Sequence, residues 1–447
     1  MGAEGVRAQN MVPVHRSRPA AGQAVLFVIP SMVITIVSIV LFAALNRFTD
    51  QELNMFSVAV LLAVILSLVG TAGMQLLLYK LIDDRTLSRE ASALRGIRLG
   101  VIYSLLFSIA VSAALYPVFR DFLSFSPTYS IYFGVLLTLY SMTWIFTAAF
   151  WATERYTYPA VIFGLGYLWV FVLTFGVHQL SAQATLGGYT LGVAVLLVFA
   201  FAGSRLAFGR TRARYTLGQD LDAAGRIIPR NLAAISFQVF YILAIFLDKI
   251  IIWALTGLNT FQGLVVLGPY TTGAFLGLIP AFSIAAVAYF DVKTRSIAER
   301  LYDGTLSDIR QRIRLYKLAY RKGLALLFLV GLLLFAVVAT TALIVFPGEQ
   351  LLLRVLITTS LGALFLVVIV YNANVLALFG RTGTSATSAF VVCAGICLAI
   401  PFVALDPWYA SIGFLAGSFL GFLISRSATS RLLAQFEYRL FRLLVAK

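Results

Sequence analysis

Long, uninterrupted apolar runs dominate the chain and constrain its fold more than any other feature. Twelve runs can be distinguished, most of them as long as the roughly 20 residues that an α-helix needs to cross a bilayer. They do not alternate with polar residues, which excludes the strand pattern of an outer-membrane β-barrel. The predicted spans are residues 24–46, 56–79, 99–119, 130–152, 158–178, 187–204, 231–256, 264–290, 324–346, 351–378, 385–405 and 408–425.

The composition agrees with a protein embedded in lipid. Charged residues make up 12% of the chain and the mean hydropathy is +0.94. A soluble protein has about 25% charged residues. We therefore predict an all-α polytopic membrane protein with twelve transmembrane helices and no large soluble domain.

Basic residues are distributed unevenly between the predicted loops. Of the 34 Lys and Arg residues, 30 fall in the two termini and in the alternate loops that share their side of the membrane. By the positive-inside rule, both termini are predicted to be cytoplasmic. Because this placement accounts for the net charge of +16, the charge does not indicate a nucleic-acid partner.

The second half of the sequence repeats the outline of the first. Arg155 and Arg381 occupy the short links after spans four and ten, and Arg205 and Arg431 follow spans six and twelve at the same separation. Two parallel repeats are a known transporter plan. The predicted organisation is a cytoplasmic tail at 1–23, an N-lobe of helices 1–6 at 24–207, a cytoplasmic linker at 208–230, a C-lobe of helices 7–12 at 231–430 and an amphipathic tail at 431–447.

Two adjacent charged residues, Asp248 and Lys249, lie inside the seventh span. A charge in hydrocarbon costs about 2.5–3.5 kcal/mol on insertion scales, so the presence of the pair indicates a structural or functional role. Neighbouring helix positions point about 100° apart, so we expect that the two do not pair face to face. Both residues are candidates for contact with substrate in a central cavity; if Lys249 instead stretches toward the outer headgroups, Asp248 alone faces that cavity. The alternatives are an interhelical structural pair and an interfacial position without a function.

Other unusual residues within the spans are polar or break the helix. The polar ones bind substrate or join helices, and the pattern does not decide between these roles. Gly277 and Pro280 in span eight predict a bend, which acts either as a hinge or as a static kink. The polar candidates are Gln75, Tyr241, Tyr270 and Asn372.

The loop at 291–323 is the most basic one. An apolar stripe recurs in it at steps of three and four, and Thr305 and Asp308 have the spacing of a capping box. This pattern predicts a basic amphipathic helix on the cytoplasmic membrane surface, which either holds anionic lipid or docks a cytoplasmic partner. The stripe is Leu306, Ile309, Ile313, Tyr316 and Tyr320, and the candidate contact residues are Arg310, Arg314, Lys317 and Arg321.

The sequence contains no recognisable metal or cofactor motif. Cys393 and Cys397 lie four residues apart inside span eleven, and His15 and His178 are far apart. Neither set has the spacing of a metal site or a disulfide framework. We expect no cofactor.

Several motifs resemble one known family over nearly the whole chain. FLDKIIIW at 246–253, LGPY at 267–270 and FLGLIPAFSIAAVAYF at 275–290 occur in that order and precede YDGTLSDIRQRIR at 302–314. This order resembles the inner-membrane transporter of Pel exopolysaccharide secretion, in the multidrug/oligosaccharidyl-lipid/polysaccharide (MOP) superfamily. Looser matches are GMQLLLYKLIDDR at 73–85, WIFTAAFWATERYTYPAVIFGLGY at 144–167 and NANVLALFGR at 372–381.

The resemblance implies a fold and a function. The expected fold is a V-shaped pair of six-helix lobes in the bacterial inner membrane. The expected function is outward transport of a polysaccharide for the biofilm matrix. The resemblance also implies that the transporter acts together with a cytoplasmic glycosyltransferase and membrane-bound scaffold proteins.

Other functions compete with polysaccharide export. The runner-up is a lipid-linked oligosaccharide flippase or a drug antiporter of the same superfamily. A membrane-embedded glycosyltransferase or acyltransferase is disfavoured because the outer loops are short and no carboxylate pair is placed for acid–base catalysis. A purely structural platform would need neither a buried carboxylate nor repeated lobes.

Overall fold

The computed structural model describes residues 50–83, 88–122, 126–177, 180–209, 217–260, 268–284 and 306–436, together with Val33, Val287, Phe290 and Tyr438. In these ranges the chain is helical almost throughout and contains no strand. An all-α polytopic protein is thereby confirmed.

The described α-helices are numbered here in chain order. They are α1 (Asp50–Asp83), α2 (Arg89–Pro117), α3 (Pro127–Ala152), α4 (Thr157–Val177), α5 (Ala182–Phe208), α6 (Leu217–Arg230), α7 (Leu232–Thr260), α8 (Pro269–Gly277), α9 (Leu306–Val345), α10 (Gln350–Leu378), α11 (Thr382–Val403) and α12 (Trp408–Ala434). A π-helical turn, Val118–Phe122, follows α2, and a 3₁₀ turn, Ile279–Ser283, follows α8.

Ten of the described helices are long and apolar enough to cross a membrane. They coincide with ten of the twelve predicted spans. The run at 24–46 lies outside the described residues apart from Val33, and the run at 264–290 is described in part, as α8 and the 3₁₀ turn. The multi-pass architecture is therefore confirmed. The count of twelve spans, the two six-helix lobes and the cytoplasmic termini remain predictions.

Side-chain hydroxyls cap the helices and satisfy polar groups within the spans. Ser88 and Ser181 accept hydrogen bonds from the backbone N–H groups of Ala91 and Ala184, at 3.2 and 3.0 Å, where α2 and α5 begin. Deeper in the spans, threonine hydroxyls return to the carbonyl one turn back, as Thr147 does to Thr143 at 2.8 Å. These local bonds let polar residues occupy helices that water does not reach.

The buried apolar residues form several clusters. The largest draws on α1 to α5, which we call the first half, and includes Trp253 of α7. The remaining clusters are built mainly from α7 to α12, which we call the second half. Helix α7 also packs on α1 and so joins the two sets.

Residues 208–230, predicted as a linker, contain the amphipathic helix α6. Asp220 of α6 is fully buried and accepts hydrogen bonds from Arg95 Nε and from Arg98 Nη2, the latter at 2.7 Å. Arg95 also donates to the Gln219 carbonyl at 2.7 Å. The buried carboxylate is thus neutralised by two guanidinium groups, and α6 is fixed to the start of α2.

The basic segment at 306–323 differs from the expectation. It is the first part of α9, a continuous 40-residue helix that runs on into a membrane span. Ile309, Ile313, Tyr316 and Tyr320 are buried in a cluster with residues of α10 and α12. The prediction of a separate helix lying on the membrane surface was wrong, because the apolar stripe packs against protein instead of lipid.

The topology predicts opposite faces for the two ends of α9. The basic residues place Gln311 on the cytoplasmic side and Glu349, in the loop before α10, on the outer side. In intact cells, a membrane-impermeant thiol reagent should label Glu349→Cys and fail to label Gln311→Cys. In inside-out vesicles the result should reverse. Labelling of both positions from the same side would contradict this topology.

Candidate functional site

The charged pair in α7 is buried and paired. Asp248 is 0% exposed and Lys249 is 1% exposed. Lys249 Nζ donates a hydrogen bond to Asp248 Oδ1 at 2.9 Å. The expectation that these neighbours do not pair was wrong, because the four-carbon lysine side chain is long and flexible enough to curl across the 100° between them.

The lysine side chain also runs in the opposite direction to one that would reach the outer headgroups. Lys249 Nζ donates a second hydrogen bond to the carbonyl of Ile245, one turn earlier, at 2.8 Å. The Cα–Cβ bond of a helical residue tilts toward the helix N-terminus, which favours this direction. The ammonium lies 5.7 Å from the ring centroid of Phe275. Lys249 therefore turns into the protein instead of reaching toward the outer headgroups.

Tyr270 of α8 completes the surroundings of the carboxylate. Its hydroxyl donates to Asp248 Oδ2 at 2.9 Å, so each carboxylate oxygen accepts a hydrogen bond from a different residue. A second polar contact joins the same helices where Trp253 Nε1 donates to Thr271 Oγ1 at 3.0 Å. The structure thus brings together three of the residues singled out in the sequence, Asp248, Lys249 and Tyr270.

The site lies where the apolar clusters of the two halves meet. Trp253 belongs to the first-half cluster, and Ile250 and Phe275 pack against that cluster. Ile252 and Tyr270 belong to a second-half cluster. The buried charges are therefore at the junction between the halves.

Gln75 forms a polar contact across the same junction. Its amide nitrogen donates to Thr71 Oγ1 at 3.0 Å, and its amide oxygen accepts from Gln238 Nε2 of α7 at 3.3 Å. Gln238 was not among the residues singled out from the sequence. It precedes Lys249 by about three helical turns and so lies on the same face of α7, a spacing that could have revealed it.

Asn372 and Tyr241 lie elsewhere. Asn372 accepts from the Tyr320 hydroxyl at 2.6 Å and donates to Ser425 Oγ at 3.0 Å, and Arg426 donates to the same Tyr320 hydroxyl at 2.6 Å. This network joins α9, α10 and α12 within the second half. Tyr241 is half-buried on α7 and stacks on Phe237 at 6.2 Å.

The helix break predicted at Gly277 and Pro280 is present. Helix α8 ends at Gly277, and the chain continues as the 3₁₀ turn that contains Pro280. A Cβ atom at Gly277 would lie 2.7 Å from Thr359 Cβ and 3.0 Å from the Leu356 carbonyl oxygen, both on α10. A glycine is required here because the two helices approach so closely. A hinge motion at this break remains a prediction.

The described residues offer no metal site, because no three His, Cys, Asp or Glu residues among them lie close enough to hold an ion. The buried groups at the junction are instead hydrogen-bond donors and acceptors around one carboxylate and one ammonium. Such groups can exchange their mutual bonds for bonds to a polar, uncharged solute.

The fold is that of known MOP-superfamily transporters. Similar solved structures include an outward-facing multidrug resistance MATE family transporter, a MOP superfamily transporter from Pyrococcus furiosus and the eukaryotic MATE transporter AtDTX14, each with a TM-score of 0.64. The sequence identities are 15%, 16% and 14%. The matches cover 95%, 94% and 93% of this chain and 98%, 97% and 94% of those chains. At such identities the likeness establishes the fold alone.

A family model identifies the chain more closely. No curated protein matches it significantly. The model of the PelG family, described as "Putative exopolysaccharide Exporter (EPS-E)", matches residues 17–441, nearly the whole chain. The resemblance drawn from the sequence motifs is confirmed, and family and fold together indicate a membrane transporter and not an enzyme. The chain therefore belongs to the PelG family of exopolysaccharide exporters.

Proposed function

We propose that this transporter moves an exopolysaccharide outward across the bacterial inner membrane, in a complex with a cytoplasmic glycosyltransferase and membrane scaffold proteins. The family match over residues 17–441 supports an exported polysaccharide. The observation that carries the proposal is the set of polar groups at the junction between the halves, centred on Asp248 and Lys249. Their chemistry suits a solute rich in hydroxyl groups.

The energetics of the ion pair support a role beyond stability. Taking two charges out of water costs several kcal/mol per ion, and replacing a buried ion pair by apolar residues is often neutral or stabilising. Asp248 and Lys249 are almost completely buried. A chain under selection for stability alone would gain little from them. We infer that the pair is retained because it becomes hydrated and contacts substrate during transport.

The attachment of α8 suggests how the site opens. The backbone of α8 packs closely on α10, where a Cβ atom at Gly273 would lie 2.5 Å from the Leu352 carbonyl oxygen. The hydrogen bonds to α7 are made by side chains, through Tyr270 and Thr271. In the proposed mechanism α7 and α8 separate, and a sugar hydroxyl replaces the Tyr270 hydroxyl on Asp248. The break after Gly277 provides the hinge.

The contact between α1 and α7 has the same role where α7 meets the first half. Gln75 and Gln238 are neutral amides that can each donate and accept hydrogen bonds. When the halves separate, sugar hydroxyls can satisfy both amides, so opening does not leave a buried polar group without a partner. This one-for-one exchange suits a polysaccharide better than an apolar drug.

Locking the halves together should stop export. In a cysteine-free background, Gln75→Cys and Gln238→Cys are joined by a short bis-methanethiosulfonate, which links the two thiols through reducible disulfides, because the two glutamine side-chain ends are 3.3 Å apart. Cross-linking should reduce polymer in the medium to the level of a deletion strain, and a reductant should restore it. The matched control joins Thr358→Cys of α10 to Ser411→Cys of α12, whose native hydroxyls are 2.7 Å apart. Because both positions lie within the second half, this cross-link should leave export unchanged.

Export of polymer from cells with fully cross-linked Gln75→Cys and Gln238→Cys would contradict the mechanism. The same strains distinguish the runner-up functions. A drug antiporter predicts that the deletion changes drug resistance and leaves polymer export intact, and a flippase predicts that lipid-linked oligosaccharide accumulates on the inner leaflet.

Breaking the ion pair should cost more stability than removing it. Asp248→Asn leaves Lys249 buried without its counter-charge and should lower the free energy of unfolding by about 3–5 kcal/mol. Lys249→Met should cost a similar amount. The double variant should recover most of the loss, and Tyr270→Phe should cost about 1.5–3 kcal/mol by removing one hydrogen bond to a charged group. Denaturant unfolding of the purified protein in detergent measures these values. A double variant as unstable as either single variant would contradict the observed pairing.

A further inference from the structure

The length of α9 places its first part outside the membrane. Residues 324–345 form an apolar stretch that spans about 33 Å, enough to cross the hydrocarbon core of about 30 Å. Residues 306–323 then extend about 27 Å farther along the helix axis. The headgroup layer on each side is only about 5–8 Å thick. Most of this basic segment therefore projects beyond the lipid.

Two parallel stripes run along the projecting segment. The apolar stripe of Ile309, Ile313, Tyr316 and Tyr320 is buried. It is held by the protein, since Tyr316 stacks on Phe436 at 5.6 Å, and the Tyr371 hydroxyl donates to the Tyr320 carbonyl at 2.8 Å. The second stripe has the same spacing, lies one residue farther along the chain, and so faces about 100° away. It consists of Arg310, Arg314, Lys317 and Arg321.

The basic stripe concentrates like charges on one helix face. Its members are three or four residues apart, where side chains of like charge repel each other. Asp308 is the only acidic residue in the described sequence of α9, and it lies near the helix start. Arg310, Arg314 and Arg321 are exposed, and Lys317 is half-buried. The buried apolar stripe fixes the helix, so the positive charge stays on one exposed face. An acidic surface facing the stripe would complement this charge.

Exposed leucines lie beside the basic stripe. Leu315 and Leu318 are 47% and 49% exposed. Leu315 lies about 14 Å along the axis from the first apolar residue of the span, Leu324, beyond the headgroup layer. A lipid surface at this depth offers no acyl chains to cover a leucine. Apolar residues next to a charged stripe are typical of a surface that binds protein.

We propose that this face of α9 is a docking surface for the acidic, partly apolar surface of a cytoplasmic protein. The surface consists of Arg310, Arg314, Lys317, Leu315 and Leu318. Arg321 lies nearest the membrane and is within reach of anionic headgroups. That the docked protein is the glycosyltransferase rests on the proposed function.

The test measures binding of the purified glycosyltransferase to the full-length protein in nanodiscs. The nanodiscs contain phosphatidylcholine, with and without phosphatidylglycerol. Arg310→Glu, Arg314→Glu and Lys317→Glu together should weaken binding by at least about tenfold in both lipids, because three favourable charge contacts become repulsive. Leu315→Gln with Leu318→Gln should also weaken it. The matched control carries the same charge change on other exposed cytoplasmic arginines, Arg226→Glu, Arg230→Glu and Arg381→Glu, and should bind normally.

Three results would overturn the docking surface. They are no binding of the glycosyltransferase to the unmodified protein, equal weakening by the control, and weakening only where phosphatidylglycerol is present, which would assign the stripe to lipid. Polymer export is measured separately in cells. Normal binding without any polymer export by the unmodified protein would count against the proposed function and leave the docking surface intact.

Discussion

A carboxylate buried inside a membrane span needs hydrogen-bond donors around it, and the rest of the site depends on this constraint. Asp248 satisfies it by accepting hydrogen bonds from Lys249 on its own helix and from Tyr270 on α8. The contact with Tyr270 requires α7 to lie against α8, and the contact of Gln238 with Gln75 requires the same helix to lie against α1. Helix α7 is therefore the element through which the polar groups of the two halves meet.

The two polar networks of the second half differ in what they join. The network of Tyr320, Asn372 and Ser425 links α9, α10 and α12. Helices α11 and α12 approach so closely that a Cβ atom at Gly417 would lie 2.7 Å from the Val392 carbonyl oxygen. These contacts favour a rigid unit of α9 to α12 within the second half. The network of Asp248 lies at its edge, against the first-half core. A transporter of two rigid parts needs exchangeable contacts at this edge and fixed ones elsewhere.

Hydropathy and charge predicted much of the fold. A run of apolar residues long enough to span a bilayer has few alternatives to a helix, so ten predicted spans match described helices. The unusual cost of a charge in hydrocarbon also singled out Asp248 and Lys249. Their pairing was missed because the angle between adjacent positions does not account for the reach of a lysine. The orientation of α9 was missed because an apolar stripe looks the same whether lipid or protein covers it. Gln238 was missed because a single amide in a span is not unusual enough by itself.

The most direct test asks whether the ion pair serves transport or stability. Inside-out vesicles that contain either the unmodified protein or the double variant Asp248→Asn, Lys249→Met are incubated with purified polymer, and the polymer protected from an added glycoside hydrolase is measured. We expect protected polymer with the unmodified protein and none above background with the double variant, although that variant is folded. Equal protection in both would show that the buried pair is dispensable for transport and would contradict the account.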